Sequence, residues 1–116
     1  MSMRLPKQAQ RLRIFIGEDD RHEGRPLYEA IVLRAREAGL AGATVLKGAM
    51  GFGANSRVHT SRILRLSEGM PLVVEIVDEP AKIEPFVAVL DSMIAEGLVT
   101  REPVEVVFYR HNHKEG

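Results

Sequence analysis

The chain has 116 residues, 45% of them hydrophobic, with 16 Lys plus Arg balanced by 16 Asp plus Glu. That length and apolar content suit one domain with its own core, and the zero net charge lacks the electrostatic footprint of a nucleic-acid binder. There is no cysteine, which excludes disulfide scaffolds, thiolate metal sites and cysteine nucleophiles.

No apolar run approaches the roughly 20 residues of a membrane helix. The opening "MSMRLPKQAQ" has no apolar centre of the kind a secretory signal carries. Residues 1–10 therefore read as a short N-terminal arm, and the lack of cysteine is compatible with a reducing cytoplasm, the expected location. "RLRIFIGE" alternates Leu12, Ile14 and Ile16 with Arg11 and Arg13, the period of two of a strand with one buried face. "DDRHEGR" is a polar connection. "PLYEAIVLRAREAG" then reads as a helix, with Pro26 at its first position and Gly39 just past its end. Leu27, Ala30, Ile31, Ala35 and Ala38 share one face, and Tyr28 and Val32 form a packing stripe beside it.

"ATVLKGAMGFG" reads as a second strand that its glycines weaken towards the end. "RILRL" and "PLVVEIV" are extended segments separated by "SEGM". In "PLVVEIV" both faces are mostly apolar, which suits a central strand or one covered by a partner. "DEPAKIEPFVAVLDSMIAEG" is the second helix, with Ile83, Phe86, Leu90, Met93 and Ile94 as its stripe and Gly97 as its end. Pro85 implies either a regular helix starting near Glu84 or a kinked first turn. "PVEVVFYR" is the last strand, with Val104, Val106 and Phe108 on one face, and residues 111–116 form a polar tail.

The order β-α-β-β-α-β over residues 11–110 predicts an α+β domain: a ferredoxin-like, four-stranded antiparallel sheet with both helices on one face. Phe15, Val73, Val77, Val107 and Tyr109 fall at positions alternate to the core residues. An apolar second face of that size argues for an oligomer.

The stretch "LKGAMGFGANSRVHTSRI" carries the main candidate site. Gly48, Gly51 and Gly53 would let main-chain N–H groups approach a phosphate, with Lys47, Arg57, His59 and Arg62 nearby to add charge or hydrogen bonds. The same glycines could instead relieve crowding at a strand bend, and on spacing alone that is the better reading. The order is neither the Rossmann nor the Walker pattern. In "GEDDRHEG", Glu18, Asp19, Asp20 and Glu23 around His22 could hold a divalent ion or accept ribose hydroxyls, but the run reads better as a solvated loop complementing a helix dipole. His111 and His113 lie in a tail without fixed geometry, so no metal site is assigned. Ser56, His59, Thr60 and Ser61 lack a third group to orient a base, and Asp19 and Asp20 are sequence neighbours that would point apart on a strand. No catalytic residue is assigned.

The segments "GEDDRHEGRPLYEAIV", "GLAGATVLKGAMGFG", "RLSEGMPLVVEIVDEPAKI" and "EGLVTREPVEV" together resemble the PII-like proteins, in particular the family known as domain of unknown function 190. "GAMGFGAN" resembles the "KGFG" of the wider PII group, and "PLVVEIVDEP" resembles its "KVEIVVPDE". The resemblance implies a homotrimer whose sheets line a central barrel, with an adenine-nucleotide cleft between subunits and a loop after the second strand that signals to a partner. It turns the glycine stretch from a bend towards a binding edge made of Lys47, Gly48, Gly51, Phe52, Gly53, Ala54, Asn55, Arg57 and His59.

Three departures from PII qualify this. "ANSRVHTSR" is short and has no tyrosine, so nucleotidylation is excluded there. "EGLVTREPVEV" has one glycine and no lysine where PII has a phosphate loop. The chain also ends soon after Arg110, without the arginine-bearing extension. These differences favour a nucleotide with few phosphates, AMP or ADP, over a triphosphate. The expected function is a non-enzymatic, cytoplasmic regulator that requires no cofactor. It would bind an adenine nucleotide, order the Ala54–Ser61 loop and modulate a partner. A membrane transporter or channel is one candidate partner, because family members are often encoded beside a fluoride exporter. The rival readings are a small nucleotide- or phosphate-handling enzyme and a structural or metal-tolerance trimer.

Overall fold

The computed structural model describes residues 5–51, 59–60 and 70–110. Its elements are β1 (Gln8–Gly17), β2 (Arg21–His22), β3 (Arg25–Pro26), α1 (Leu27–Glu37), β4 (Thr44–Lys47), β5 (Met50–Gly51), β6 (His59–Thr60), β7 (Pro71–Asp78), α2 (Pro80–Met93) and β8 (Leu98–Glu105). The main sheet has the order β4-β7-β1-β8, with every neighbouring pair antiparallel. Each helix bridges two strands that flank a third, the arrangement of a ferredoxin-like fold.

Alternation in β1 and β7 sets the two faces. Leu12, Ile14, Ile16, Leu72, Val74 and Ile76 point into the core, where they meet Leu27, Ala30, Ile31 and Ala35 of α1 and Ile83, Phe86, Leu90 and Met93 of α2. Tyr28 and Val32 pack against this cluster, as does Ile94, whereas Ala38 is exposed at the C-cap. Each fully buried aliphatic or aromatic side chain contributes about 1.5–3 kcal/mol, so both helices are held mainly by these stripes.

Several boundaries differ from expectation, each for a local reason. Pro26 is the N-cap of α1, because its ψ of 135° is extended and it pairs with Arg21 in the β2–β3 hairpin. That hairpin turns through Glu23 and Gly24, both at positive φ, as a two-residue turn that follows the strand twist requires. Gly39, at φ +77°, ends α1 as the spacing predicts. Helix α2 begins at Pro80 and runs through Pro85, so its start is not delayed to Glu84; Lys82 and Ile83 both donate to the Glu79 carbonyl.

The strand β8 starts at Leu98 and ends at Glu105, so it lies earlier than "PVEVVFYR" implies. It contains Pro103, which is tolerated because β8 is an edge strand. One further bond, Val106 N–H to the Lys7 carbonyl at 2.8 Å, continues the pairing. The next residue upstream, Pro6, has no N–H to offer. Val107 and Phe108 are exposed beyond that point. At the other end of the ladder, β1 begins at Gln8 rather than Arg11, and Gln8 pairs with Glu105. Strand "RILRL" lies outside the described residues.

The sheet face away from the helices is organised in rows. Leu46, Val73, Phe15 and Leu98 lie side by side across all four strands, and three of them are exposed large hydrophobics. The next row holds Thr44, Glu75, Arg13 and Thr100, and the third holds Val77, Arg11 and Glu102. Arg13 Nε donates to Glu75 at 2.9 Å, and Arg11 is paired with Glu102. The second face is therefore apolar at one end and charge-paired further along, not apolar throughout.

Candidate functional site

The candidate residues gather where the sheet ends beside the C-termini of β1 and β4 and the start of β7. Gly17 and Glu18 leave β1, Lys47 and Gly48 leave β4, and Met70 and Pro71 enter β7. Antiparallel pairing dictates this meeting, since Gly17 lies opposite Pro71 and Lys47 opposite Leu72. The Glu18 N–H donates to the Met70 carbonyl at 2.8 Å, and the Gly48 N–H donates to the Pro71 carbonyl at 2.7 Å.

Gly48 marks the break at which the expected second strand divides into β4 and β5. A Cβ on Gly48 would sit 2.9 Å from Pro71 Cγ, so close approach alone accounts for a glycine here. Its amide is already committed to Pro71, and contact with a phosphate through that N–H would require this bond to break. Beyond it, β5 and β6 pair with Gly51 opposite His59. The fold thus brings the backbones of two candidate residues far apart in the stretch into one ladder. Phe52, Gly53, Ala54, Asn55 and Arg57 lie outside the described residues, as does the Arg62 considered beside them.

Lys47 Nζ lies 3.2 Å from Glu18 Oε2, with the two side chains 48% and 26% exposed. A pair this open contributes about 0–1 kcal/mol. Glu18 Oε1, in contrast, is buried and has no hydrogen-bond partner among the described residues. An acceptor that has lost water without gaining a donor costs about 1–3 kcal/mol. Glu18 is thus the residue of this corner that the spacing of the glycines does not reveal. Its local signal is membership of the acidic run after β1, while its partner Lys47 is distant in sequence.

Asp20, in the same acidic run, has structural work. Asp20 Oδ2 accepts the Gly17 N–H at 2.9 Å, and the Asp20 carbonyl accepts the Leu27 N–H at 2.8 Å, which ties the β1–α1 connection to the first turn of α1. His22 lies 3.9 Å from Glu23. Among the described residues, no group of three or more His, Asp or Glu side chains is arranged to hold a metal ion, and no helix is long and apolar enough to cross a membrane.

The chain matches known proteins over most of its length. A family model described as "DUF190: Uncharacterized ACR" covers residues 9–106. A UPF0166 protein of Aquifex aeolicus (strain VF5) is 40% identical over 97 residues, which cover 84% of this chain and 91% of that one. A UPF0166 protein of Methanocaldococcus jannaschii is 38% identical over 71 residues, 61% of this chain and 65% of that one. Among solved structures, CPII from Thiomonas intermedia K12, described as a nitrogen regulatory PII-like protein bound to ADP, AMP and bicarbonate, aligns with a TM-score of 0.63 at 13% identity, covering 85% of this chain and 88% of that one. The same protein bound to ADP and bicarbonate gives a TM-score of 0.59 at 14% identity over the same shares. At this identity the likeness is one of fold, and the fold is PII-like. The matched segment takes in both helices and all but the first residue of the four-stranded sheet, and the chain belongs to the DUF190 family.

Proposed function

We propose that this protein is a PII-like regulator that binds an adenine nucleotide with few phosphates, AMP or ADP, in clefts between the subunits of a homotrimer. The observation that carries the reading is the corner where β1, β4 and β7 meet. There a half-exposed lysine and a carboxylate with an unsatisfied oxygen stand at the foot of the glycine stretch. Such a corner offers a cation for a phosphate and an acceptor for a sugar or base, and a fold relative, CPII, is described with ADP and AMP bound.

In this reading Lys47, Gly51, Phe52, Gly53, Ala54, Asn55, Arg57 and His59 form the binding edge, and Gly48 serves it by letting the chain leave the sheet beside Pro71. The subunits associate through the exposed row Leu46, Phe15 and Leu98. Nucleotide binding alters the affinity for a partner, for which a membrane transporter or channel is a candidate. The protein acts in the cytoplasm and turns over no substrate. Thermal melting with AMP, ADP, GMP and CMP tests the proposal, because a ligand that binds only the native state raises its melting temperature by mass action. Adenine nucleotides should raise it most; equal effects from all four, or none, would count against the reading.

A further inference from the structure

We propose that Glu18 is a specificity-determining residue of this site: its buried Oε1 accepts an N–H or O–H of the nucleotide, while Lys47 leaves Oε2 for the phosphate. The inference rests on the nucleotide reading above and adds the residue that reads the nucleoside.

Three features of Glu18 carry it. The backbone is fixed, because its N–H is bonded to the Met70 carbonyl at 2.8 Å. One carboxylate oxygen is occupied by Lys47 at 3.2 Å. The other is buried in the single chain and has no donor among the described residues. Buried polar atoms are nearly always satisfied, and an exception calls for an occupant or a function. Asp20 differs sharply in the same loop, since its carboxylate accepts the Gly17 N–H. Glu18 Oε1 is thus spare where the Asp20 carboxylate is spent on the fold.

A nucleoside monophosphate supplies what the pair lacks. It brings neutral donors, in its ribose hydroxyls and the adenine amino group, together with an anion. Lys47 is half exposed, and its flexible stem lets the ammonium exchange a carboxylate for a phosphate. The bond to Glu18 is charge-assisted and forms where water is excluded, and such a site discriminates strongly against analogues that lack the donor.

The test is calorimetric titration of the full-length wild type and Glu18→Gln with AMP, 2′-deoxy-AMP, 3′-deoxy-AMP and IMP, with apo melting measured in parallel. Glu18→Gln should weaken AMP binding by about tenfold to hundredfold and leave the apo melting temperature unchanged or raised. The analogue that lacks the recognised donor should bind wild type weakly and lose little more in the variant. That pattern identifies whether a ribose hydroxyl or the amino group meets Glu18. If wild type binds AMP and the variant binds it equally well, the role of Glu18 is overturned while the nucleotide reading stands. A variant that weakens every analogue to the same extent, or that melts well below wild type, overturns it in favour of a charge or folding role. Wild type that gives no heat with AMP removes both.

Discussion

The carboxylate of Asp78 accepts the backbone N–H of Ala41 at 2.8 Å, joining the end of β7 to the connection between α1 and β4. Its other oxygen accepts the Glu79 N–H at 2.7 Å, at the entry to α2. Asp78 is 1% exposed, a charge enclosed beside the core. Such a group is tolerated because both oxygens are bonded. Asp78→Ala removes both bonds and strands two amides, so urea unfolding should report a loss of about 2–4 kcal/mol. A midpoint equal to wild type would show that Asp78 does not brace this corner.

Gly97 and Gly48, whose Cβ positions are the most crowded among the described glycines, should respond differently to alanine. At Gly97 a Cβ would lie 2.9 Å from the Phe15 carbonyl oxygen and 3.1–3.2 Å from methyls of Ile94 and Ile16. A carbonyl held in a sheet cannot yield easily, and overpacking of this kind costs about 1–3 kcal/mol. At Gly48 the nearest atom is a ring carbon of Pro71, which can shift with the ring pucker. Gly97→Ala should therefore unfold at lower urea than Gly48→Ala, both without ligand. The reverse order would show that the Pro71 ring cannot yield to a methyl at Gly48.

The exposed row on the open sheet face should govern assembly. Leu98 is 56% exposed and lies beside Phe15, away from the helix-covered core, so Leu98→Glu should leave the fold intact. Sedimentation equilibrium should find wild type trimeric at micromolar concentration and Leu98→Glu shifted to smaller species. A wild-type monomer would remove the intersubunit cleft, and a trimer indifferent to Leu98→Glu would move the interface elsewhere.

The fold was legible where one residue's chemistry dictates its neighbours' placement. Alternation in "RLRIFIGE" separates Leu12, Ile14 and Ile16 from Arg11 and Arg13, and the structure keeps that division. The stripe through Ile83, Phe86, Leu90 and Met93 likewise sets the buried face of α2. Pro103 misled because a proline reads as a strand start, and only sheet order reveals that β8 is an edge. The open face misled in the same way: Arg11 and Glu102 sit 91 residues apart, and no local pattern announces that they neutralise each other. At the candidate site, glycine spacing points to the chain's departure from β4. The Lys47–Glu18 pair depends on strands meeting in space, and nothing near either residue signals it.

The glycine stretch itself yields a paired test. Gly53→Ala and Arg57→Ala alter residues assigned to the binding edge. If the Gly53 backbone approaches phosphate, the added methyl should weaken AMP binding more than it lowers apo stability. Arg57→Ala should leave apo melting near wild type and cost about 1.5–3 kcal/mol of binding through one charge-assisted hydrogen bond. Normal AMP affinity in both folded variants would return "GAMGFGANSR" to the role of a structural bend.

Calorimetric titration of the wild-type protein with AMP, set against GMP, tests the central claim most directly. Saturable AMP binding at one site per chain, with GMP clearly weaker, is expected of three equivalent clefts in a trimer. No heat with AMP or ADP at millimolar concentration, or equal affinity for GMP, would contradict it.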